Sequence, residues 1–135
     1  MRAAVVHCFE GSAHADIAKA LAKGIERQGH DVTVVNAGTQ SGKSLTAFHY
    51  IAVGTAAPSL FSRAVPLKLT AFLKSAGMIS GKRCYAFTAG GGFRKAALLR
   101  SLMKVMEGEG MYLKKSDIIK NSAEAEAIGC RLHIH

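Results

Sequence analysis

The N-terminal segment constrains the fold most, because it predicts a buried strand that turns at once into a helix. An apolar run over 3–6 lies in a predicted strand over 2–8, and residues 13–28 place apolar side chains at helical spacing up to Gly29. The short loop 9–13 joins the two. Unpaired N–H groups at such a helix start, together with the positive end of the helix dipole, form a natural anion site. The segment therefore predicts an α/β unit that holds a phosphate, as in a nucleotide or cofactor binder.

The alternation of strand and helix continues along the chain. Further strands are predicted over 31–35, 48–53 and 83–88, with a fifth beginning at 111–113. Helices are predicted over 66–76 and 94–107, and a short one at best over 122–129. This pattern predicts an α/β three-layer sandwich, with a doubly wound, five-stranded parallel sheet between two layers of helices.

The loops that follow the strands are predicted to form a binding rim. Ligands of such sheets bind beyond the carboxyl ends of the strands. In this chain those ends lead into the loops 9–13, 37–46, 54–65 and 88–93. All four are rich in Gly, Ser, Thr or Ala.

Length and cysteine content favour a single cytoplasmic domain. The 135 residues are enough for one domain, 1–135, with a full core. No apolar stretch reaches the roughly 18 residues that span a membrane, and Arg2 precedes too few apolar residues for a signal peptide. The three cysteines, Cys8, Cys84 and Cys130, are widely spaced and match no disulfide framework, which favours a reducing compartment.

The charge of the chain is concentrated in its middle. The net charge is +9, and no acidic residue occurs between Asp31 and Glu107. That stretch holds Lys43, Arg63, Lys68, Lys74, Lys82, Arg83, Arg94, Lys95, Arg100 and Lys104. Such a positive field attracts an anionic ligand, an acidic partner or nucleic acid, or serves solubility alone. Direct nucleic-acid binding is not expected, because the sequence shows no clear aromatic stacking platform.

Three loops together resemble those of the flavodoxin family. The first is the loop 9–13. The second is Gly54-Thr55-Ala56-Ala57-Pro58, followed by Pro66-Leu67-Lys68 and Phe72-Leu73, which is similar to the family's G-[ST]-P loop and P-L-K-x-F-L helix. The third is Thr88-Ala89-Gly90-Gly91-Gly92. The match runs in order through 1–115 and implies a flavodoxin-like fold with strand order 2-1-3-4-5.

The resemblance also implies a cofactor, FMN, and a role in electron transfer. The family's phosphate loop corresponds to Phe9, Glu10, Gly11, Ser12 and Ala13. The flavin ring would lie between Thr55, Ala56 and Pro58 on one side and Thr88, Ala89, Gly90, Gly91 and Gly92 on the other. The protein would act as a carrier or as a small flavin-dependent reductase. Its partner would be a redox protein or a small-molecule electron acceptor, and the basic charge makes an acidic partner one option.

An alternative within the same fold stays open. The family's loop has a T-G-N-T core, whereas this chain has Glu10, Gly11, Ser12 and Ala13, so most hydroxyl donors are missing and a carboxylate is present. The chain has no Trp, and it is basic where typical flavodoxins are acidic. The alternative is a flavodoxin-fold module that has lost flavin binding and serves as an interaction protein through its basic face.

Three further patterns are weaker. Residues 37–44 fit a relaxed P-loop pattern, but no acidic residue between 32 and 106 is available to hold its metal ion, which favours a polar loop. Cys130, His133 and His135 are potential metal ligands, although no metal site is predicted there. Cys8 follows the first strand and is interpreted as a small residue closing that strand rather than a redox thiol.

Overall fold

A computed structural model describes residues 1–9, 12–40, 42–56, 65–89 and 95–134. The strands are β1 (Arg2–His7), β2 (Asp31–Asn36), β3 (Tyr50–Thr55), β4 (Arg83–Ala89) and β5 (Tyr112–Ile119). The helices are α1 (Ser12–Glu26), α2 (Leu67–Lys74), α3 (Lys95–Gly108) and α4 (Ser122–Gly129). All strand pairs in this part of the chain are parallel, in the order β2-β1-β3-β4-β5. The predicted fold class and strand order are confirmed.

The sheet is covered on both faces, so its central strands are buried along nearly their whole length. Side chains alternate between the faces, so that Ala3 and Val5 pack against α1 and α4 while Ala4 and Val6 pack against α2 and α3. β3 is buried along its whole length. We call the two helical layers the α1/α4 layer and the α2/α3 layer.

The connection from β2 to β3, residues 37–49, contains no helix in its described part and is called the crossover loop. Its side chains Leu45 and Phe48 are buried in the α2/α3 core, where the apolar side chains of a crossover helix would otherwise pack. The Lys82 ammonium group, directly before β4, donates to the carbonyl groups of Leu45 at 3.4 Å, of Thr46 at 2.6 Å and of Phe48. These hydrogen bonds replace the internal ones that a helix would have made. The third predicted strand was placed too early for this reason: Phe48 lies in a turn, and β3 begins at Tyr50.

The C-terminal segment contains the predicted short helix and the continuation of the predicted fifth strand. β5 continues to Ile119, and α4 has the bounds predicted for the short helix. It is capped where the Asn121 side chain accepts from the Glu124 N–H group at 2.8 Å. α4 lies directly on α1 because a glycine stands on each side of the contact. A Cβ atom at Gly24 would lie 2.9 Å from the Gly129 Cα atom, closer than real Cβ atoms approach.

Among the described helices, none is both long and apolar enough to cross a bilayer.

Candidate functional site

The carboxyl edge of the sheet is where the chain's topology opens a crevice. The chain leaves β1 for β2 on one side and returns to β3 on the other, and the ends of β1 and β3 stand beside each other, with His7 opposite Gly54. Ligands of doubly wound sheets bind at this switch point, which in flavodoxins is the place of FMN. α1 also begins here, at Ser12, and has no acidic residue in its first turn. The edge therefore offers a helix N-terminus next to the switch point.

Two buried threonines close neighbouring strands at this edge. Thr55 of β3 and Thr88 of β4 are register partners, and both side chains are fully buried. The Thr55 hydroxyl donates to its neighbour's carbonyl, Ala56 O, at a long 3.5 Å. Within the described chain the Thr88 hydroxyl has no hydrogen-bond partner. A buried, unsatisfied polar group destabilises a fold by about 1–3 kcal/mol, so such a group is a mark of a ligand site.

His7 is held as a neutral imidazole at the end of β1. The Phe9 N–H group donates to His7 Nδ1 at 3.2 Å, and the two rings stack with centroids 5.1 Å apart. Burial lowers the pKa of His7, and the Lys19 ammonium group lowers it further. Because Nδ1 accepts a hydrogen bond, the proton of the neutral ring lies on Nε2. Protonation of Nδ1 would break the turn that leads from β1 towards α1.

The Phe9 side chain is part of the core rather than an open platform. It is buried, and its ring contacts His14 at 5.7 Å and Phe87 at 6.2 Å between centroids. A phosphate that used the Phe9 N–H group would have to replace its hydrogen bond to His7. The role predicted for this residue thus requires a rearrangement of the loop.

Gly54 makes room for an aromatic ring beside the site. A Cβ atom at this position would overlap the Phe87 ring, which also stacks on Tyr85 at 5.9 Å between centroids. Gly54 was predicted to begin the loop after the third strand, whereas it lies inside β3. Its function is to let Phe87 lie flat against the backbone of the neighbouring strand.

A cleft of about 270 Å³ opens between the carboxyl ends of β1 and β2 and the start of α2. It is lined by Cys8, Phe9, Asn36, Gly38, Thr39 and Lys68. Neither Asn36 nor Lys68 was assigned to a site from the sequence, because they lie 32 residues apart in the chain. The only sequence signal for them was their position, one at the end of a strand and the other at the start of a helix.

The crossover loop beside this cleft is not a phosphate cradle. Its first N–H groups are engaged within the turn itself: Gly38 N–H donates to Asn36 Oδ1 at 2.9 Å, and Gln40 N–H donates to Asn36 O at 2.9 Å. No helix follows Ser44, although a P-loop requires one. The polar-loop interpretation of residues 37–44 agrees with this geometry.

The described residues thus include only part of the predicted cofactor site. Phe9, Thr55, Ala56, Thr88 and Ala89 lie at the carboxyl edge, and Ser12 and Ala13 open α1. Glu10, Gly11, Pro58, Gly90, Gly91 and Gly92 lie outside the described residues. Across the described chain no group of three or more His, Cys, Asp or Glu side chains is arranged to hold a metal ion.

Comparison with known proteins identifies the fold. The sequence matches no family model and no curated protein. The structure resembles a flavodoxin from the domain Archaea, with 22% identity, a TM-score of 0.74, and coverage of 96% of this chain and 94% of that one. It resembles a flavodoxin from Streptococcus pneumonia TIGR4, with 15% identity, a TM-score of 0.75, and coverage of 96% and 95%. It also resembles the two-electron reduced flavodoxin of Megasphaera elsdenii, with 15% identity, a TM-score of 0.72, and coverage of 96% and 99%. The chain has the flavodoxin-like fold.

Proposed function

We propose that this protein binds FMN at the carboxyl edge of its sheet and takes part in electron transfer, as a carrier or as a small flavin-dependent reductase. The fold supports the proposal, since the similar structures are flavodoxins, one solved oxidised and another two-electron reduced. The redox partner would be a protein or a small-molecule electron acceptor.

The unpartnered hydroxyl group of Thr88 is the observation that carries the proposal. This group is buried at the end of β4, and nothing in the described chain satisfies it. The polar edge of a flavin ring presents both hydrogen-bond donors and acceptors, and either kind would pair with a hydroxyl. The start of α1, free of acidic residues in its first turn, fits the phosphate of the same cofactor. The described residues therefore fit FMN.

The residues of the chain would hold the cofactor rather than react. The flavin, when bound, supplies the redox chemistry, and the protein supplies position and electrostatics. The N-terminal N–H groups of α1 would bind the phosphate, while Thr55 and Thr88 would fix the ring from the ends of two neighbouring strands. The buried side chains of Phe9 and Phe87 lie on the α1/α4 side of the sheet, the face opposite the two threonines, and would keep water from that side of the site.

The first test is titration of the apo protein with FMN, followed by visible absorbance and quenching of flavin fluorescence. We expect shifted flavin bands and saturable binding. If FMN, FAD and riboflavin all leave the spectra unchanged, the proposal is wrong and the interaction-module alternative takes its place.

A matched pair of variants sharpens this test. Thr88→Val removes the unpaired hydroxyl at constant shape, so it should stabilise the apo protein by about 1 kcal/mol and weaken FMN binding roughly fivefold to tenfold. Thr55→Val removes a hydroxyl that already has a long hydrogen bond, so its gain in apo stability should be smaller. Thermal unfolding of the apo proteins and FMN titration measure the two effects separately. An apo stability equal to that of the wild type in Thr88→Val would contradict the argument from the unpaired hydroxyl.

A further inference from the structure

The two helical layers of the protein differ in charge. Within their bounds, α2 and α3 carry five basic residues and one acidic residue, whereas α1 and α4 carry two basic and four acidic ones. The helices of the acid-free stretch thereby lie on one layer, because α2 and α3 cover the same face of the sheet. The exposed basic side chains of this layer are Lys68, Lys74, Arg100 and Lys104, which we call the basic surface.

The opposite layer carries charges of both signs, and some of them are paired. Lys23 and Arg27 each lie 3.7 Å from the Glu126 carboxylate, so α1 and α4 are joined by ion pairs. Among the described side chains, none of the basic surface lies in an ion pair. A field of one sign that is not neutralised within the molecule raises the association rate with an oppositely charged partner.

The basic surface extends over the whole length of α2 and reaches the candidate site at one end. Both α2 and α3 follow strands of a parallel sheet, so both begin at the carboxyl edge and run away from it. The one acidic residue of the layer, Glu107, stands in the last turn of α3, at the far end. Lys68 stands in the first turn of α2 and lines the cleft beside the β1 terminus. Next to it, Leu67 is 86% exposed.

We propose that the basic surface is a docking site for an acidic protein, with a carboxylate side chain of that partner entering the cleft beside Lys68. Charge complementarity selects the partner, and the exposed Leu67 side chain provides an apolar contact at the rim of the cleft. The partner would approach the edge at which FMN is proposed to bind. The surface itself is defined without the flavin, although its use for electron transfer rests on the proposed function.

A protein fits this surface better than nucleic acid does. Single-stranded nucleic acids bind through aromatic side chains on which bases stack. The one exposed large aromatic side chain among the described residues, Tyr112, lies on the edge strand β5, where the Lys114 ammonium group already covers its ring at 4.8 Å. The described basic surface offers cations without a stacking platform.

The experiment measures binding of a fluorescent polyglutamate peptide of about 20 residues by anisotropy, at about 50 mM salt, where screening is weak. Two surface variants are compared with the wild type: Arg100→Glu/Lys104→Glu on α3, and Lys68→Glu at the cleft. The control is Lys19→Glu/Lys23→Glu, which makes the same change of net charge at the same spacing on α1. An oligothymidylate of equal length is titrated in parallel, and each variant is also titrated with FMN.

We expect the peptide to bind the wild type, the α3 double variant to weaken it at least about tenfold, and the α1 control to stay within about twofold. Lys68→Glu should weaken binding as well, since it places a carboxylate in the cleft wall. Equal weakening by the control would overturn the proposal, because net charge alone would then explain binding. Tighter binding of the oligothymidylate, or no peptide binding, would overturn it too. Failure to bind FMN with peptide binding intact would refute the proposed flavin function and leave the docking surface standing.

Discussion

Substitution of Gly24 by alanine tests whether the close contact between α1 and α4 stabilises the fold. A Cβ atom at this position would lie 2.9 Å from both Cys130 N and Gly129 Cα, and nearer still to Glu126 O. All three atoms belong to the backbone, so no side chain is able to rotate away. α4 must therefore move outwards as a body.

The expected loss of stability follows from the contacts that the outward movement of α4 disrupts. In an open helix, Gly→Ala stabilises by about 1 kcal/mol. Here overpacking costs about 1–3 kcal/mol. In addition, α4 would expose the buried Ile128 side chain, worth about 1.5–3 kcal/mol. It would also weaken two hydrogen bonds, from the Gln28 side chain to Gly129 O and to Leu132 O, worth about 1 kcal/mol each. With partial relaxation, we expect a net destabilisation of about 2–4 kcal/mol, a fall in melting temperature of roughly 6–15 °C.

Urea unfolding followed by circular dichroism measures this loss, and Gly108→Ala is its matched control. Gly108 ends α3, and a Cβ atom there would meet no other atom within 4 Å. The same substitution at that position should stabilise the protein by about 0.5 kcal/mol. If Gly24→Ala behaves like Gly108→Ala, the inferred contact between the two helices is wrong.

Three further substitutions or conditions have defined outcomes. Gly54→Ala should destabilise by about 1–3 kcal/mol in urea unfolding, because the new methyl group displaces the Phe87 ring; an unchanged midpoint would refute that packing. The lowered pKa of His7 means that the unfolded state binds its proton more readily, so the contribution of the neutral ring is full above pH 6.5 and is lost as pH falls from 6.5 through the lower folded-state pKa. His7→Gln should flatten this part of the stability–pH profile, and an unaltered slope would contradict the assignment. Lys82→Met should cost about 2 kcal/mol and speed amide hydrogen exchange in the crossover loop, whose carbonyl groups Lys82 holds; equal exchange rates would show that the loop does not depend on it.

Much of the architecture could be predicted because the secondary structure of each segment follows from the pattern of its neighbouring residues. The apolar runs at β1 and β4 and the helical spacing in α1 each occupy neighbouring positions, so their alternation already predicted a parallel sheet with two helical layers. The errors fell where distant residues compete with local preference. Phe48 has the residue type of a strand, yet it packs in a turn whose carbonyl groups are bound by Lys82.

The candidate site could be predicted only in outline. Thr55 and Thr88 were assigned to the carboxyl edge from the resemblance, and the register of β3 and β4 pairs them. Among the described residues the Thr55 hydroxyl has a hydrogen-bond partner and the Thr88 hydroxyl has none, a difference that no sequence pattern predicts. The cleft between Asn36 and Lys68 was missed for the same reason.

The amino-acid sequence by itself determined the order of strands and helices, the fold class and the acid-free middle of the chain, because each is a property of consecutive residues. The tertiary structure alone decided that the basic residues of α2 and α3 share one surface, that Gly24 meets Gly129, and that the Thr88 hydroxyl finds no partner among the described residues. These features depend on which distant segments come into contact when the sheet packs. The burial of the whole core determines those contacts, and no single segment determines them by itself.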